Sequence, residues 1–170
     1  MDAVIEASRL TYRYGRMVAL DDLSVAVPEG ALYALLGPNG SGKTTLLQVV
    51  MGLRRQSAGR VSVFGVERER LTRQQRAQIG YIAEGQRLPQ WMRLEELEDY
   101  VAPLYPTWDA SLAADLRQRF ELDARQRIGA MSRGGQMKAA LLCALAPRPK
   151  LLVMDEPFTG MDVLVKDELV

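Results

Sequence analysis

Residues 37–44 read Gly-Pro-Asn-Gly-Ser-Gly-Lys-Thr, a phosphate-binding loop in which two glycines bracket four residues ahead of a Lys-Thr pair. Glycines let backbone N–H groups turn toward a phosphate, Lys43 supplies a cation, and Thr44 offers a hydroxyl to Mg²⁺. The apolar run 31–36 predicts a buried strand before the loop, and residues 45–51 predict a helix whose N-terminus faces the anion. This context predicts a nucleoside triphosphate site. The residues of the predicted cradle are Gly37, Pro38, Asn39, Gly40, Ser41, Gly42, Lys43, Thr44 and Thr45.

A second continuous apolar run, residues 151–154, delivers two adjacent carboxylates, Asp155 and Glu156. Open α/β sheets place ligand-binding groups at the C-terminal ends of their strands, so this pair predicts the second half of the nucleotide site. Asp155 is a candidate Mg²⁺ ligand, and Glu156 is a candidate general base for an attacking water. The chain has no histidine, which excludes His-based triads, His metal ligands and a His general base. Taken by itself, Asp-Glu-Pro is also an ordinary strand-ending turn.

A third motif, Met-Ser-Arg-Gly-Gly-Gln at residues 131–136, precedes an apolar helix-like run and the acidic strand. Ser-x-Gly at a helix N-terminus provides a hydroxyl, backbone N–H groups and the positive end of the helix dipole, which together form a second anion-binding surface. In isolation the motif is weak, because Ser and Gly are common at the start of helices.

Composition limits the other classes of function. The 170 residues carry a formal net charge of +1, which gives no electrostatic case for a nucleic-acid partner, and the arginine-rich runs predict solvated faces. The single cysteine, Cys143, lies in an apolar run and predicts a small core residue. The sequence has no apolar stretch of about 18 residues and no N-terminal signal pattern. We therefore expect a chain that neither spans a membrane nor enters a secretory route by itself.

In their order along the chain, the motifs resemble those of ATP-binding-cassette (ABC) ATPases, and the resemblance covers essentially the whole sequence. An aromatic residue precedes Gly15, and the phosphate loop, a strand ending near Glu84, a helical insert, the Ser-x-Gly motif, the acidic strand and a Thr-Gly-Met-Asp stretch at 159–162 follow. The resemblance implies an α/β fold class: a P-loop NTPase sheet with an N-terminal antiparallel β subdomain and a helical insert. It implies one domain over residues 1–170, with a nucleotide-binding core at 1–88 and 147–170 and a helical subdomain at 89–146.

The resemblance also implies a role for each matching residue. Tyr14 would stack on the adenine of ATP, with a core tyrosine as the open alternative, and Asp162 would join the two sites of a dimer. The implied Mg²⁺ ligands are Thr44, Glu84 and Asp155. In this family two cassettes pair head to tail, so the signature would contact ATP held by the partner subunit. The signature residues are Ser132, Arg133, Gly134, Gly135 and Gln136.

The implied partners are an integral-membrane permease subunit and a second ABC ATPase subunit, identical or related. The permease would hold the chain at the cytoplasmic face of the cell membrane, and no nucleic-acid partner is expected. Trp91, Met92, Leu94 and Tyr105 of the helical insert are candidates for the permease surface, although a helix core explains their apolar character about as well.

Departures from the family pattern carry further expectations. Glu84 stands where glutamine is usual. If the chain stays extended, Gln86 shares its face and could substitute for it; alternatively, Glu84 could itself approach Mg²⁺ with a full charge. Arg133 and Gly135 resemble a subgroup with small exporter-type permeases, which favours export over import but leaves the direction of transport undetermined. The chain ends at Val170, before the switch histidine of the family, so the resemblance implies a C-terminally truncated cassette. For it we expect lowered stability or association, partly retained ATP binding and impaired hydrolysis.

Three alternatives stay beside the transporter subunit. A soluble ABC-type ATPase of translation or DNA repair would share every motif, but usually carries two cassettes or a long insertion. A kinase or GTPase would share the phosphate loop but has no reason for the Ser-x-Gly motif before the acidic strand. A nucleotide-binding module without turnover fits the missing C-terminal part but not the intact Glu156.

Overall fold

The computed structural model describes residues 3–156, which divide between two compact units that meet in sequence at Arg73 and Gln74. The first unit is an antiparallel sheet of four strands in the order β2-β1-β3-β4, with one helix packed against β2 and β3. Its elements are β1 (Ala3–Tyr14), β2 (Met17–Pro28), α1 (Lys43–Val50), β3 (Ala58–Val63), β4 (Val66–Glu67) and a 3₁₀ turn (Arg68–Arg70). The predicted N-terminal antiparallel β subdomain is confirmed.

The core face of β1 depends on a break in its alternation. Ile5 and Ala7 are buried two residues apart, but the next buried residue is Leu10, three further on. A register shift between Ala7 and Leu10, with Arg9 at a φ of +48°, adds the extra residue and returns the strand to its core face. Gly59 of β3 faces this bulge, and a side chain there would have its Cβ 2.3 Å from the Arg9 carbonyl oxygen. The bulge at Arg9 therefore leaves room only for glycine at position 59.

The second unit is built from helices on a two-stranded parallel sheet. Strands β5 and β6 pair with Ile79 opposite Leu151 and Ile82 opposite Met154. The elements from residue 73 onward are α2 (Arg73–Arg76), β5 (Ile79–Ile82), α3 (Leu94–Val101), a 3₁₀ turn (Ala102–Leu104), α4 (Ala110–Arg119), a 3₁₀ turn (Ile128–Ala130), α5 (Arg133–Leu145) and β6 (Leu151–Met154). The predicted strands near 79–83 and 151–154 and the helices between 89 and 130 are all present.

Helix α5 is the central element of this unit. Ala139 and Ala140 belong to a cluster with α3, whereas Leu141 and Leu142 belong to a cluster with α4 and β5. Four consecutive buried residues at 100° steps cover most of the helix circumference, so α5 is enclosed on nearly all sides over this turn. Cys143 is half-buried and packs against both clusters, as predicted for a small core residue, and burial raises its pKa to about 12.

One predicted strand is wrong. Residues 31–36 form no strand, and Leu32 and Leu36 are 99% and 92% exposed. A strand needs a neighbour for its backbone N–H and C=O groups, and neither of the two sheets within residues 3–156 includes this segment. The apolar run alone therefore did not determine a strand.

The prediction that the arginines lie on solvated faces also fails at one position. Arg68 is 5% exposed, and its guanidinium donates to the Arg54 carbonyl at 3.2 Å and to Gln56 at 3.0 Å, besides pairing with Glu69. The charge is buried because this set of acceptors replaces water.

Candidate nucleotide-binding site

The phosphate loop ends where α1 begins. Gly42 caps the helix with a φ of +93°, and Lys43 is the first helical residue, as expected for a loop that presents a helix N-terminus to an anion. An added Cβ at Gly42 would lie 2.6 Å from the Ala19 carbonyl oxygen, so only glycine fits here. The predicted helix after the loop is confirmed, whereas the strand before it is not.

Lys43 closes across the mouth of the loop. Its ammonium group donates hydrogen bonds to the carbonyl oxygens of Gly37 at 2.8 Å and Pro38 at 3.0 Å. Ser41 N–H bonds to the Pro38 carbonyl at 3.2 Å, which tightens the turn. The lysine is therefore held against the loop that is predicted to receive the phosphates. When an anion binds, negatively charged phosphate oxygens would replace these neutral carbonyl oxygens as the acceptors of the ammonium group, which gives stronger hydrogen bonds.

Tyr14 lies beside the start of α1. Its hydroxyl is 3.2 Å from Thr45 Oγ1, and its ring meets the ring of Tyr12 edge-on, with centroids 4.9 Å apart and planes at 73°. The guanidinium of Arg54 lies 4.9 Å from the centroid of Tyr14. The structure thus joins two predicted site residues, Tyr14 and Thr45. Sequence reasoning missed Tyr12 and Arg54, although the spacing of two aromatic residues on one face of a strand was a usable signal.

Asp155 and Glu156 follow β6 in the second unit. Asp155 is 3% exposed, and its N–H donates to the Ile82 carbonyl at 2.9 Å, continuing the parallel ladder to the end of the sheet. Burial and, to a smaller extent, the Asp155 charge raise the pKa of Tyr81 on β5. Glu156 has a φ of +49°, a region that costs a residue with a side chain energy and that occurs often at functional sites.

Glu84 emerges at the same sheet edge as Asp155, because β5 and β6 run parallel and in register up to Ile82 and Met154. The condition under which Gln86 would share the face of Glu84, an extended path after β5, is not met: residues 84–85 form a turn, with Gly85 at a φ of +61°. The amide oxygen of Gln86 accepts a hydrogen bond from the Ala83 N–H at 3.2 Å. Gln86 therefore folds back onto the backbone and does not share a face with the exposed Glu84.

Within residues 3–156, no three acidic or cysteine side chains lie close enough to form a metal site by themselves. Mg²⁺ in nucleotide sites is commonly held by one or two carboxylates or hydroxyls together with substrate phosphates. Thr44, Asp155 and Glu84 offer oxygen ligands of the kind Mg²⁺ prefers, so their chemistry fits the predicted ion.

The Ser-x-Gly motif begins α5, as predicted. Ser132 is the N-cap, and its hydroxyl accepts a hydrogen bond from the Gly135 N–H at 3.1 Å. Gln136 donates from its side chain to the Met131 carbonyl at 3.2 Å, while Ser132 and Arg133 are exposed. An exposed helix N-terminus is therefore available at this motif. Asp162 lies outside the described residues.

The surface of the helical insert differs from the expected set. Leu94 is fully buried and Met92 packs against the α3 cluster, so these two belong to the core. Trp91 is 69% exposed, and sequence reasoning missed the exposed Tyr100 and Leu104. No helix within residues 3–156 is long and apolar enough to cross a membrane.

Comparison with known proteins gives one family throughout. A family model described as "ABC transporter" matches residues 20–159. The sulfate/thiosulfate import ATP-binding protein CysA of Salmonella typhi is 35% identical over 174 residues, which cover 97% of this chain and 48% of that protein. CysA of Escherichia coli K12 is 33% identical, with coverage of 97% and 47%. The chain spans about half the length of the curated relatives it matches. Their names say import, whereas the subgroup resemblance favoured export.

Solved structures agree on the fold. The ATP-binding subunit of an ABC transporter superimposes with a TM-score of 0.87 at 29% identity, covering 98% of this chain and 71% of that one. A dimeric bacterial ABC transporter cassette superimposes with a TM-score of 0.84 at 23% identity, covering 97% and 79%. The predicted P-loop NTPase fold class is confirmed by these likenesses.

Proposed function

Because this chain belongs to the ABC transporter family, we propose that it is the ATP-binding and ATP-hydrolysing subunit of an ABC transporter. In this proposal, ATP-driven pairing of two cassettes followed by hydrolysis powers transport through an integral-membrane permease. The permease holds the chain at the cytoplasmic face of the membrane, and the second cassette is a copy of this chain or a related subunit. Residues 1–88 and 147–170 serve as the nucleotide-binding core, and residues 89–146 as the helical subdomain.

The observation that carries the proposal is the phosphate loop itself. Gly42 leaves no room for a side chain, Lys43 is held at the loop mouth, and α1 directs its N-terminal N–H groups toward the same place. A triphosphate satisfies such a site better than water does, because several charge-assisted hydrogen bonds form together.

The proposed chemistry is hydrolysis of the γ-phosphoryl group of ATP. Glu156 accepts a proton from the attacking water, the new bond forms between that water oxygen and the γ-phosphorus, and the bond from phosphorus to the β,γ-bridging oxygen breaks. Thr44, Asp155 and Glu84 are the proposed Mg²⁺ ligands, and the ion supplies charge neutralisation on the phosphate oxygens. Tyr14 stacks on adenine.

The proposed dimer uses the exposed start of α5. Ser132 and the N–H groups of Arg133 and Gly134 contact the γ-phosphate of ATP bound to the partner subunit, and Asp162 links the two sites. Bound ATP then joins the subunits, and its hydrolysis releases them.

The test is Mg·ATP hydrolysis by the purified chain and by Glu156→Gln, with ATP binding measured by calorimetry. We expect Glu156→Gln to bind ATP but to lose about 10²- to 10⁴-fold in turnover, the usual contribution of a general base. Glu84→Gln makes the same carboxylate-to-amide change at a proposed Mg²⁺ ligand, and we expect it to preserve ATP binding.

Equal turnover by wild type and Glu156→Gln would contradict the assigned role of Glu156. Binding without turnover by the wild-type chain would instead favour a nucleotide-binding module. Co-purification with a permease supports the transport role, whereas co-purification with ribosomes or DNA would overturn it in favour of a soluble ABC-type ATPase.

A further inference from the structure

Two tyrosines and one arginine form a cluster of contacting side chains beside the start of α1, where the phosphate loop ends. Tyr12 and Tyr14 are two residues apart on β1 and therefore share a face of the strand. The guanidinium carbon of Arg54 lies 4.9 Å from the centroid of Tyr14 and 5.8 Å from that of Tyr12, within the range of a cation–π interaction. All three residues belong to the first compact unit.

Arg54 is anchored to the helix that carries the phosphate-binding lysine. Its N–H donates to the Gln48 main-chain carbonyl at 3.2 Å, and its side-chain Nε donates to the Gln48 amide oxygen. Its Nη1 donates to the Tyr12 hydroxyl at 3.2 Å, a bond that raises the pKa of Arg54. Because a guanidinium stays protonated in proteins, the side chain is charged, and its two side-chain hydrogen bonds hold the guanidinium beside the Tyr14 ring.

Tyr14 is held at two points by residues of or adjoining α1. Its hydroxyl bonds to Thr45 in the first helical turn, and Arg54 covers part of the ring. The residue nevertheless stays 36% exposed, so ring surface remains accessible to a ligand. A flat side chain held in this way is pre-organised, which lowers the entropy lost when a base stacks on it.

We propose that Arg54 is a positioning residue for the nucleotide base: it holds the Tyr14 ring from one face so that adenine stacks on the other. This inference rests on the proposed function, because it assigns a determinant of base affinity to the same site. Arg54 acts through Tyr14 and contributes to binding of the base, while binding of the triphosphate depends on the loop.

The alternative role for a cation near a phosphate loop is direct attraction of the phosphates, and the two roles have different consequences. Loss of a phosphate contact should weaken the binding of ATP and of tripolyphosphate alike, because both ligands carry the same anion. Loss of a base-positioning contact should weaken the binding of ATP only. The ratio of the two affinities therefore separates a positioning role from a general charge effect.

The experiment measures dissociation constants for Mg·ATP and Mg·tripolyphosphate by calorimetry on wild type, Arg54→Ala and Arg54→Lys. Arg55→Ala is the matched control, since it removes the same charge from the adjacent, exposed residue. Circular dichroism and thermal unfolding check that each variant folds. Tyr14→Ala and the double variant with Arg54→Ala complete a mutant cycle.

We expect Arg54→Ala to weaken ATP binding about 3- to 10-fold, the range of a partly exposed cation–π contact, and to leave tripolyphosphate binding within about 2-fold. Arg55→Ala should change neither. In the Tyr14→Ala background, Arg54→Ala should have no further effect. Arg54→Lys keeps the charge but replaces the two separate nitrogens that reach Gln48 and Tyr12 with a single nitrogen, so it should weaken ATP binding about 2- to 5-fold. If Arg54→Ala does not fold, the comparison of Arg54→Lys with wild type replaces it in the test.

Equal weakening of both ligands, unchanged or tighter ATP binding, or an Arg54 effect that persists without Tyr14 would each overturn the inference. Failure of the proposed function has a different result. If wild type binds neither ligand, nucleotide binding itself is wrong. If it binds both equally and Tyr14→Ala changes nothing, the adenine platform is wrong although the phosphate loop is right.

Discussion

Replacing Gly42 by alanine should destabilise the first unit much more than replacing Gly40. Both glycines have a left-handed φ, +93° and +81°, which costs alanine about 1 kcal/mol. An added Cβ at Gly40 meets nothing within 4 Å. At Gly42 it would lie 2.6 Å from the Ala19 carbonyl oxygen and 3.0 Å from Leu20 Cδ2. Because the first of these obstacles is main chain of β2, no rotamer change can relieve it.

Displacing packed main chain is comparable to overpacking a core, which costs about 1–3 kcal/mol. Added to the backbone term, this gives about 2–4 kcal/mol for Gly42→Ala against about 1 kcal/mol for Gly40→Ala. The assay is native-state hydrogen exchange of β1 and β2 amides without nucleotide. Trp91 and Trp108 both belong to the second unit, so tryptophan fluorescence would not report this change. Equal exchange rates in the two variants would refute the steric argument.

Two further predictions concern ionisable side chains. Burial alone would raise the pKa of Glu69, but hydrogen bonds from Arg68 and Gln56 hold it at about 2, against an ordinary value of 4.5. The carboxylate therefore stabilises the fold above about pH 4.5 and loses this effect as the pH falls toward 2. In denaturant titrations, Glu69→Gln should reduce the loss of unfolding free energy between about pH 4.5 and pH 2. Because the side chain is 47% exposed, the reduction should be no more than about 1 kcal/mol. Burial, with a smaller contribution from Glu98, raises the pKa of Cys143 to about 12. At pH 8 the native thiol should react with a disulfide reagent on the order of 10²- to 10³-fold more slowly than in urea, and equal rates would show that it is exposed.

Features with a local signal were predictable from the sequence. The helix that begins after Ser132 has a capping side chain and two glycines at its start, and β6 is a continuous apolar run bounded by prolines and carboxylates. Helix α1 follows directly from the phosphate loop. In each case the residues that define the element also supply its ends.

Features that depend on distant residues were not predictable. The run 31–36 is apolar enough for a strand, but strand formation depends on a neighbouring strand. The path beyond β5 turns at Gly85, whose conformation no local pattern specified. Arg68 and Arg54 look like ordinary surface arginines in the sequence, and only the fold brings Gln56 and Tyr14 to them.

Helix α5 also limits which amino-acid substitutions the second unit can accept. Its residues 139–142 are shared between two hydrophobic clusters, so a change in side-chain volume on one side shifts a helix that forms the wall of the other. Substitutions in the two clusters should therefore be epistatic even where their side chains never touch. An enlarged alanine at 139 or 140 should be tolerated best when Leu141 or Leu142 is reduced, so the helix imposes a shared volume constraint on sequence change.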